Sequence, residues 1–286
     1  MRSETLVVAD IEAVKDKRVL ADWPEGKWPP PVGWQVVAIG MLVANLKMTG
    51  QGLTAQVEKS GCITGPEDEI ISKFWGFFDR REPLLVTWNG RGYDLPVLRQ
   101  RAMIRGVPTP RWFQSGNRYE NYWYRYSVNW HCDLMDQLSD YGACAKTSMD
   151  LFAKAMGLPG KIGGDGGEVE AMFEAGEIER IAAYCECDVL NLYGIYLRWL
   201  MITGKIEGAG YERSQVQLTE FLRSDDKAHR ADFLAKIAER RPCAVAQRPA
   251  CLWPRSRGRS AARGVDALIG GPLLWDFFAT PAATPD

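Results

Sequence analysis

Histidine is nearly absent from this chain: His131 and His229 are the two among 286 residues. The seven cysteines are odd in number and irregular in spacing, and Cys185 and Cys187 stand one residue apart rather than two. Neither a secreted disulfide framework nor a structural zinc site is expected from that pattern. No run approaches the roughly 20 apolar residues of a membrane span. The opening MRSETLVVADIEAV is too short in its apolar part, and too interrupted by acids, for a secretory signal. A reducing, cytoplasmic setting without membrane attachment is therefore expected. With a formal net charge of −1, the chain also lacks the basic excess of a protein that coats nucleic acid. A nuclease stays open, because its carboxylates cancel local basic patches. The glycines at 163, 164, 166 and 167 are followed by no GK[ST], which excludes a P-loop and suggests a mobile stretch. Internal repeats are lacking too.

What is present is ordinary core-forming material, 46% hydrophobic and 25% charged, enough for one large domain with a tail or two small domains. TLVVA at 5–9 suits a buried strand, with Asp10 and Glu12 following it. Residues 23–33 are rich in Pro and Gly and read as a loop. WQVVAIGMLVAN and LTAQVEKSG read as two strands joined through MTGQG, EDEIISKFWGFFDRR as a helix, PLLVTWNG as a fourth strand, and DLPVLRQRAMIRG as a helix with Pro96 in its first turn. Residues 108–130 are aromatic and irregular. HCDLMDQLSDYG then leads to helices over SMDLFAKAMG, GEVEAMFEAG and about 177–202, and a single further helix is predicted over 214–239. Strands followed by a helix-rich half describe an α/β domain with a mixed sheet. After about Arg241, Pro, Arg, Ala and Gly dominate without a period, so residues 241–286 are expected to be a disordered tail.

Three short constellations carry chemistry. In Asp10-Ile11-Glu12 both carboxylates leave one face of a strand. They are either a solvated strand end or a pair that needs a cation between them. In Trp88-Asn89-Gly90-Arg91-Gly92-Tyr93-Asp94, a strand turns into a helix whose start carries Asp94, either as a plain N-cap or as an acid facing the end of the first strand. In Tyr184-Cys185-Glu186-Cys187-Asp188, the tyrosine and aspartate share a helix face, either as a half-exposed pair or as part of a site. Together, four acids and a tyrosine in this order fit one design. Two Mg²⁺ or Mn²⁺ ions about 4 Å apart need several hard oxygen ligands and clamp both oxygens of a phosphodiester displacement.

On these motifs, and on the stretches NYWYRYS, HCDLMDQLSDYG, GLPGK and YCECDVLNLY, the chain resembles the DEDD exonucleases of the ribonuclease H-like fold, in their tyrosine branch. More narrowly it is similar to the predicted 3′–5′ exonucleases related to the proofreading domain of family B DNA polymerases. The resemblance runs from about Thr5 to Arg198. It implies a ribonuclease H-like mixed β-sheet flanked by helices over 1–205, with a helical C-terminal extension over 206–240. It implies that Asp10 bridges two metal ions, that Glu12 and Asp188 complete the tighter site, that Asp94 holds the second metal, and that Tyr184 orients the attacking water. A phenol of ordinary pKa, about 10, is a poor base at neutral pH. Asn89 would place the terminal nucleotide or an outer water.

Other residues have two readings each. Asp133 either supports the metal-site acids or caps the next helix. Lys161 either reaches a phosphate or is a plain loop lysine. The segment 111–130 interleaves eight aromatics with three arginines, and Tyr124 and Arg125 are candidate contacts to single-stranded nucleic acid, by stacking and charge. Its rings could equally pin a long loop by burial. The expected activity is metal-dependent removal of nucleoside 5′-monophosphates from a 3′ end, with single-stranded DNA as partner. No polymerase segment follows in the chain, so proofreading would act in trans, with repair or end trimming as alternatives. An RNA-directed exonuclease and a catalytically silent binding module are the rivals.

Overall fold

Residues Thr5–Lys15 form strand β1, which continues through Asp10 and Glu12 instead of stopping before them. The extension follows from the length of its partner β2, Trp34–Thr49, against which β1 pairs antiparallel from Thr5 to Lys15 with a bulge between Glu12 and Ala13. The structure is a computed structural model that describes residues 3–50, 52–163 and 166–240. The tail expected over 241–286 and the glycine at 164 lie outside the described residues.

Strand β3, Gly52–Thr64, is antiparallel to β2, whereas β4, Leu84–Thr87, and β5, His131–Asp133, run parallel to β1 and to each other. The sheet order is β3-β2-β1-β4-β5. Helices cover both faces, as strands buried on both sides require. The alternation of β1 sorts the layers. Val7, Ala9 and Ile11 pack with helix α1, Glu67–Arg81, and helix α2, Asp94–Arg105. Leu6 and Val8 face the other way, toward Leu190, Leu192 and Leu197. Asp10 and Glu12 continue the second set by period 2. This mixed sheet flanked by helices is the ribonuclease H-like α/β fold expected from the resemblance.

Short helices α3, Pro110–Gln114, α4, Leu134–Leu138, α5, Met149–Ala155, and α6, Val169–Glu174, lie in the connections. Helix α7, Ile178–Ile202, is apolar nearly all round and accordingly buried, lying across β1, β2 and β3. At one point the packing depends on a missing side chain: Gly40 of β2 donates its N–H to Cys185 Sγ at 3.1 Å.

The single helix predicted over 214–239 is in fact two, α8, Gly208–Arg223, and α9, Ala228–Arg240. The break falls at short polar residues whose side chains compete for the backbone. Ser224 Oγ donates to the Phe221 carbonyl at 2.7 Å, and an Asp225 carboxylate oxygen accepts from Lys227 N at 3.4 Å. The turn lets α9 present Arg230 to Glu186 of α7, at 2.8 and 2.6 Å. Arg230 also donates to the Ser60 carbonyl of β3 at 3.0 Å. Among the described residues no helix is long and apolar enough to cross a membrane.

Candidate active site

The site is assembled from three distant segments. Asp10 and Glu12 project from β1 toward α7. Ligand atoms of Asp10, Glu12 and Cys185 all lie within 4.8 Å of one another.

Asp94 comes from the loop after β4. That loop needs Asn89 in a left-handed conformation, φ 60°, and is held by the buried Asp133 carboxylate, which accepts from Asn89 N and Arg91 N at 2.9 Å each. Asp133 also accepts from Met135 N at 3.2 Å at the start of α4. The Asp133 carboxylate thus caps the helix, as one reading expected, and also holds the loop that delivers Asp94. Asp94 is no plain N-cap: Tyr93 takes that position, and an Asp94 carboxylate oxygen accepts from Ile11 N of β1 at 3.2 Å. The parallel pairing of β1 with β4 brings the loop to that edge.

Tyr184 and Asp188 lie one turn apart on α7. Both are buried, so the half-exposed alternative is excluded. The Tyr184 hydroxyl hydrogen-bonds Asp188.

Electrostatics tie these groups together. Burial and the charges of Asp94, Glu12 and Asp188 push the Asp10 carboxyl well above the usual range. Glu12 is raised in the same way, by burial and then by Asp188 and Asp94, with Lys161 opposing. Asp94 is pushed up to about 7, chiefly by burial, against hydrogen bonds from its own and Ile11's backbone N–H. Like charges gathered in low dielectric disfavour ionisation unless a cation joins them. Burial, with Asp188, Glu12 and Asp10 near it, raises the Tyr184 phenol further from neutrality, so it stays protonated.

The hard oxygen donors fit a divalent cation. Cys185 is a neighbour that the sequence did not announce. Its hydrogen bond with Cys62, its burial and the nearby acids raise its thiol, and it accepts from Gly40 N.

A cleft of about 730 Å³ runs along Asp10, Glu12, Asn89 and Asp94 and reaches Trp28 and Tyr93. Asn89 is thus at the site, and Lys161 is near enough to lower the Glu12 carboxyl. Tyr124 and Arg125 lie farther out. Arg91 in the Asp94 loop donates to the Tyr124 carbonyl at 3.2 Å, which fastens the aromatic loop beside the site. Arg125 itself is bidentate on Asp136 at 2.8 and 2.7 Å. Within that loop Trp112, Tyr122 and Trp130 are buried, whereas Phe113, Tyr119, Trp123 and Tyr126 are exposed. Burial pins the loop, and other rings are left facing solvent. Trp28 escaped notice in the sequence because a Pro- and Gly-rich segment announces a loop and nothing about what the loop faces.

Comparison with curated proteins finds no match. Residues 28–237 match the family described as predicted 3′-5′ exonuclease related to the exonuclease domain of PolB. That span includes the Asp94 and Tyr184–Asp188 segments and all strands after β1. Spanning most of its length, the match means that this chain belongs to the predicted 3′-5′ exonucleases related to the exonuclease domain of PolB.

Proposed function

We propose that this protein is a metal-dependent exonuclease that shortens single-stranded DNA from its 3′ end by a two-metal-ion mechanism, releasing nucleoside 5′-monophosphates. The observation that carries this reading is the convergence of four acids from three segments: Asp10, Glu12 and Asp94 line one cleft, and Asp94, Glu12 and Asp188 all raise the Asp10 carboxyl. Membership of an exonuclease family supports nuclease activity and a nucleic-acid substrate. The proposed catalytic body is 1–205, with 206–240 as a helical extension, and a role in DNA repair is one setting for it.

In this proposal Asp10, Glu12 and Asp188 would hold the tighter Mg²⁺ or Mn²⁺ ion, and Asp94 would help to hold the second. Such ions, when bound, lower the pKa of water and stabilise charge on the attacking and leaving oxygens. Tyr184 donates to Asp188, which leaves a phenolic lone pair to accept from the attacking water and orient it. Water attacks phosphorus in line and gives up a proton to solvent, the bond from phosphorus to the 3′ oxygen breaks, and that oxygen takes up a proton from solvent to leave a new 3′-hydroxyl. Asn89 positions the terminal nucleotide. Lys161, beside Glu12, is assigned to a phosphate. Arg125, with 45% of its side chain exposed, and Tyr124 are assigned to the strand beyond the cleft.

Digestion of a 5′-labelled oligonucleotide with Mg²⁺ or Mn²⁺ tests the reading, with matched RNA alongside. A ladder shortening from the 3′ end, lost in Asp10→Ala and in EDTA, is the expected result. Absence of cleavage of either polymer would leave a binding protein. Unchanged oligonucleotide affinity in both Tyr124→Ala and Arg125→Ala would remove the outer contacts.

A further inference from the structure

Trp28 is 73% exposed, the most exposed tryptophan among the described residues. A large ring facing water is unremarkable alone, but this one lines the cleft of the acid cluster. It is also held rigidly. Pro29, Pro30 and Pro31 follow it, and Pro30 is extended at φ −66°, ψ 163°. Prolines fix the backbone before any ligand arrives. Trp34 Nε1 donates to the Pro29 carbonyl at 3.2 Å, and Trp23 Nε1 donates to the Lys27 carbonyl at 3.2 Å, so the residues on both sides of Trp28 are fastened. The ring rests on the buried Trp34, with centroids 4.7 Å apart, and on Tyr93 at 6.1 Å. Tyr93 directly precedes Asp94. A continuous aromatic surface therefore leads from an exposed ring to a residue of the acid cluster, with Lys27 lining the same cleft.

We infer that Trp28 is a base-stacking platform, which takes the face of an unpaired nucleobase while the phosphate next to it lies toward the acids. The inference deepens the exonuclease reading and rests on it for the nature of the ligand. A flat ring, preorganised and open on one side, suits a nucleobase because every base offers a π-face, whereas paired bases in a duplex have theirs covered. Single-stranded ends are thereby favoured without a choice of sequence. Preorganisation by the prolines means that little freedom is lost on binding.

The test uses the full chain and two 5′-labelled single strands with the same phosphates. One carries natural bases and the other has abasic sugars at its last three positions. Binding is read by fluorescence anisotropy in EDTA, and cleavage is read separately with Mn²⁺. Trp28→Leu keeps apolar bulk without an aromatic face, and Trp28→Phe keeps a face. Trp28→Leu should weaken binding of the natural strand roughly 5- to 150-fold and leave the abasic strand unaffected, and Trp28→Phe should recover much of the loss. Equal weakening for both strands would show a structural role, and unchanged binding of the natural strand would remove the platform; either result overturns the inference. The two readings fail separately. Base-dependent binding through Trp28 without cleavage keeps the platform and sinks the exonuclease, whereas normal cleavage with a KM indifferent to Trp28 does the reverse.

Discussion

Adding one methyl group at Gly40 should disable the protein while leaving it folded. Gly40 faces Asp10 across the β1–β2 ladder and touches the helix that carries Tyr184 and Asp188. A Cβ there would lie 2.8 Å from the Cys185 carbonyl oxygen, 2.9 Å from its Sγ and 3.1 Å from Val189 Cγ1. Ordinary contact begins at 3.4 Å, so strand and helix must part by 3.4 − 2.8, or about 0.6 Å. The nearest obstacle is backbone and cannot rotate away. Overpacking of this kind costs about 1–3 kcal/mol, a fall of a few degrees in Tm for a chain this long. Catalytic groups tolerate only about 0.5 Å of displacement, and 1 Å can cost about 100-fold in rate. Gly40→Ala should therefore lower kcat by roughly tenfold or more with KM little changed, in the labelled-oligonucleotide assay. Gly208→Ala, where nothing lies within 4 Å, is the control. Wild-type kcat together with wild-type Tm in Gly40→Ala would refute the claim that the close approach of α7 to β2 sets the site geometry.

Three further outcomes are expected. Asp10→Asn should raise Tm in EDTA by relieving repulsion among the acids, and should lose the stabilisation that Mn²⁺ gives the wild type, about 2.7 kcal/mol at a hundredfold excess over Kd; equal Mn²⁺ shifts in both proteins would contradict this. Burial, with Arg91 and Arg99 nearby, holds the His131 imidazole well below its usual range. Below about pH 6.5 the unfolded chain therefore gains a proton that the folded one refuses, and stability falls by about 1.4 kcal/mol per pH unit. Urea titrations at several pH values should show that component missing from His131→Gln, and parallel slopes would rule it out. Arg230→Ala should cost about 1.5–3 kcal/mol in urea unfolding, because it removes charge-assisted hydrogen bonds to the buried Glu186, on which Lys227 remains at 2.9 Å and His229 at 3.0 Å; a loss no larger than that of a surface substitution would contradict it.

Much of the architecture was legible because hydrophobic period and turn chemistry agree along β2, α1, β4 and α2. Where they diverged from the structure, a partner decided. Nothing local in residues 10–15 says that β1 continues, but the length of β2 extends the ladder past the acids. The break between α8 and α9 was hidden because amphipathic residues continue on both sides of the short polar turn at Ser224 and Asp225, which lets Arg230 reach Glu186. The acids and tyrosine were legible as three separate motifs, each weak alone. Their electrostatic coupling was not, because it arises from sheet order. Cys185 sat in plain view between Tyr184 and Glu186, yet its place at the acids depends on the absence of a side chain at Gly40.

The ion cluster between α7 and α9 has a consequence in time. Glu186 is secured by a residue 44 positions further along the chain, while the first acid lies near the start. During synthesis the early strands can pair long before Arg230 exists. The helix bearing Tyr184 and Asp188 gains its anchor only after the last of the acids has been made. Contacts so distant in sequence close late. A nascent or truncated chain lacking α9 would hold every acid yet carry Asp188 and Tyr184 on a less firmly seated helix, so cleavage of nucleic acid should begin only when the polypeptide has passed that arginine.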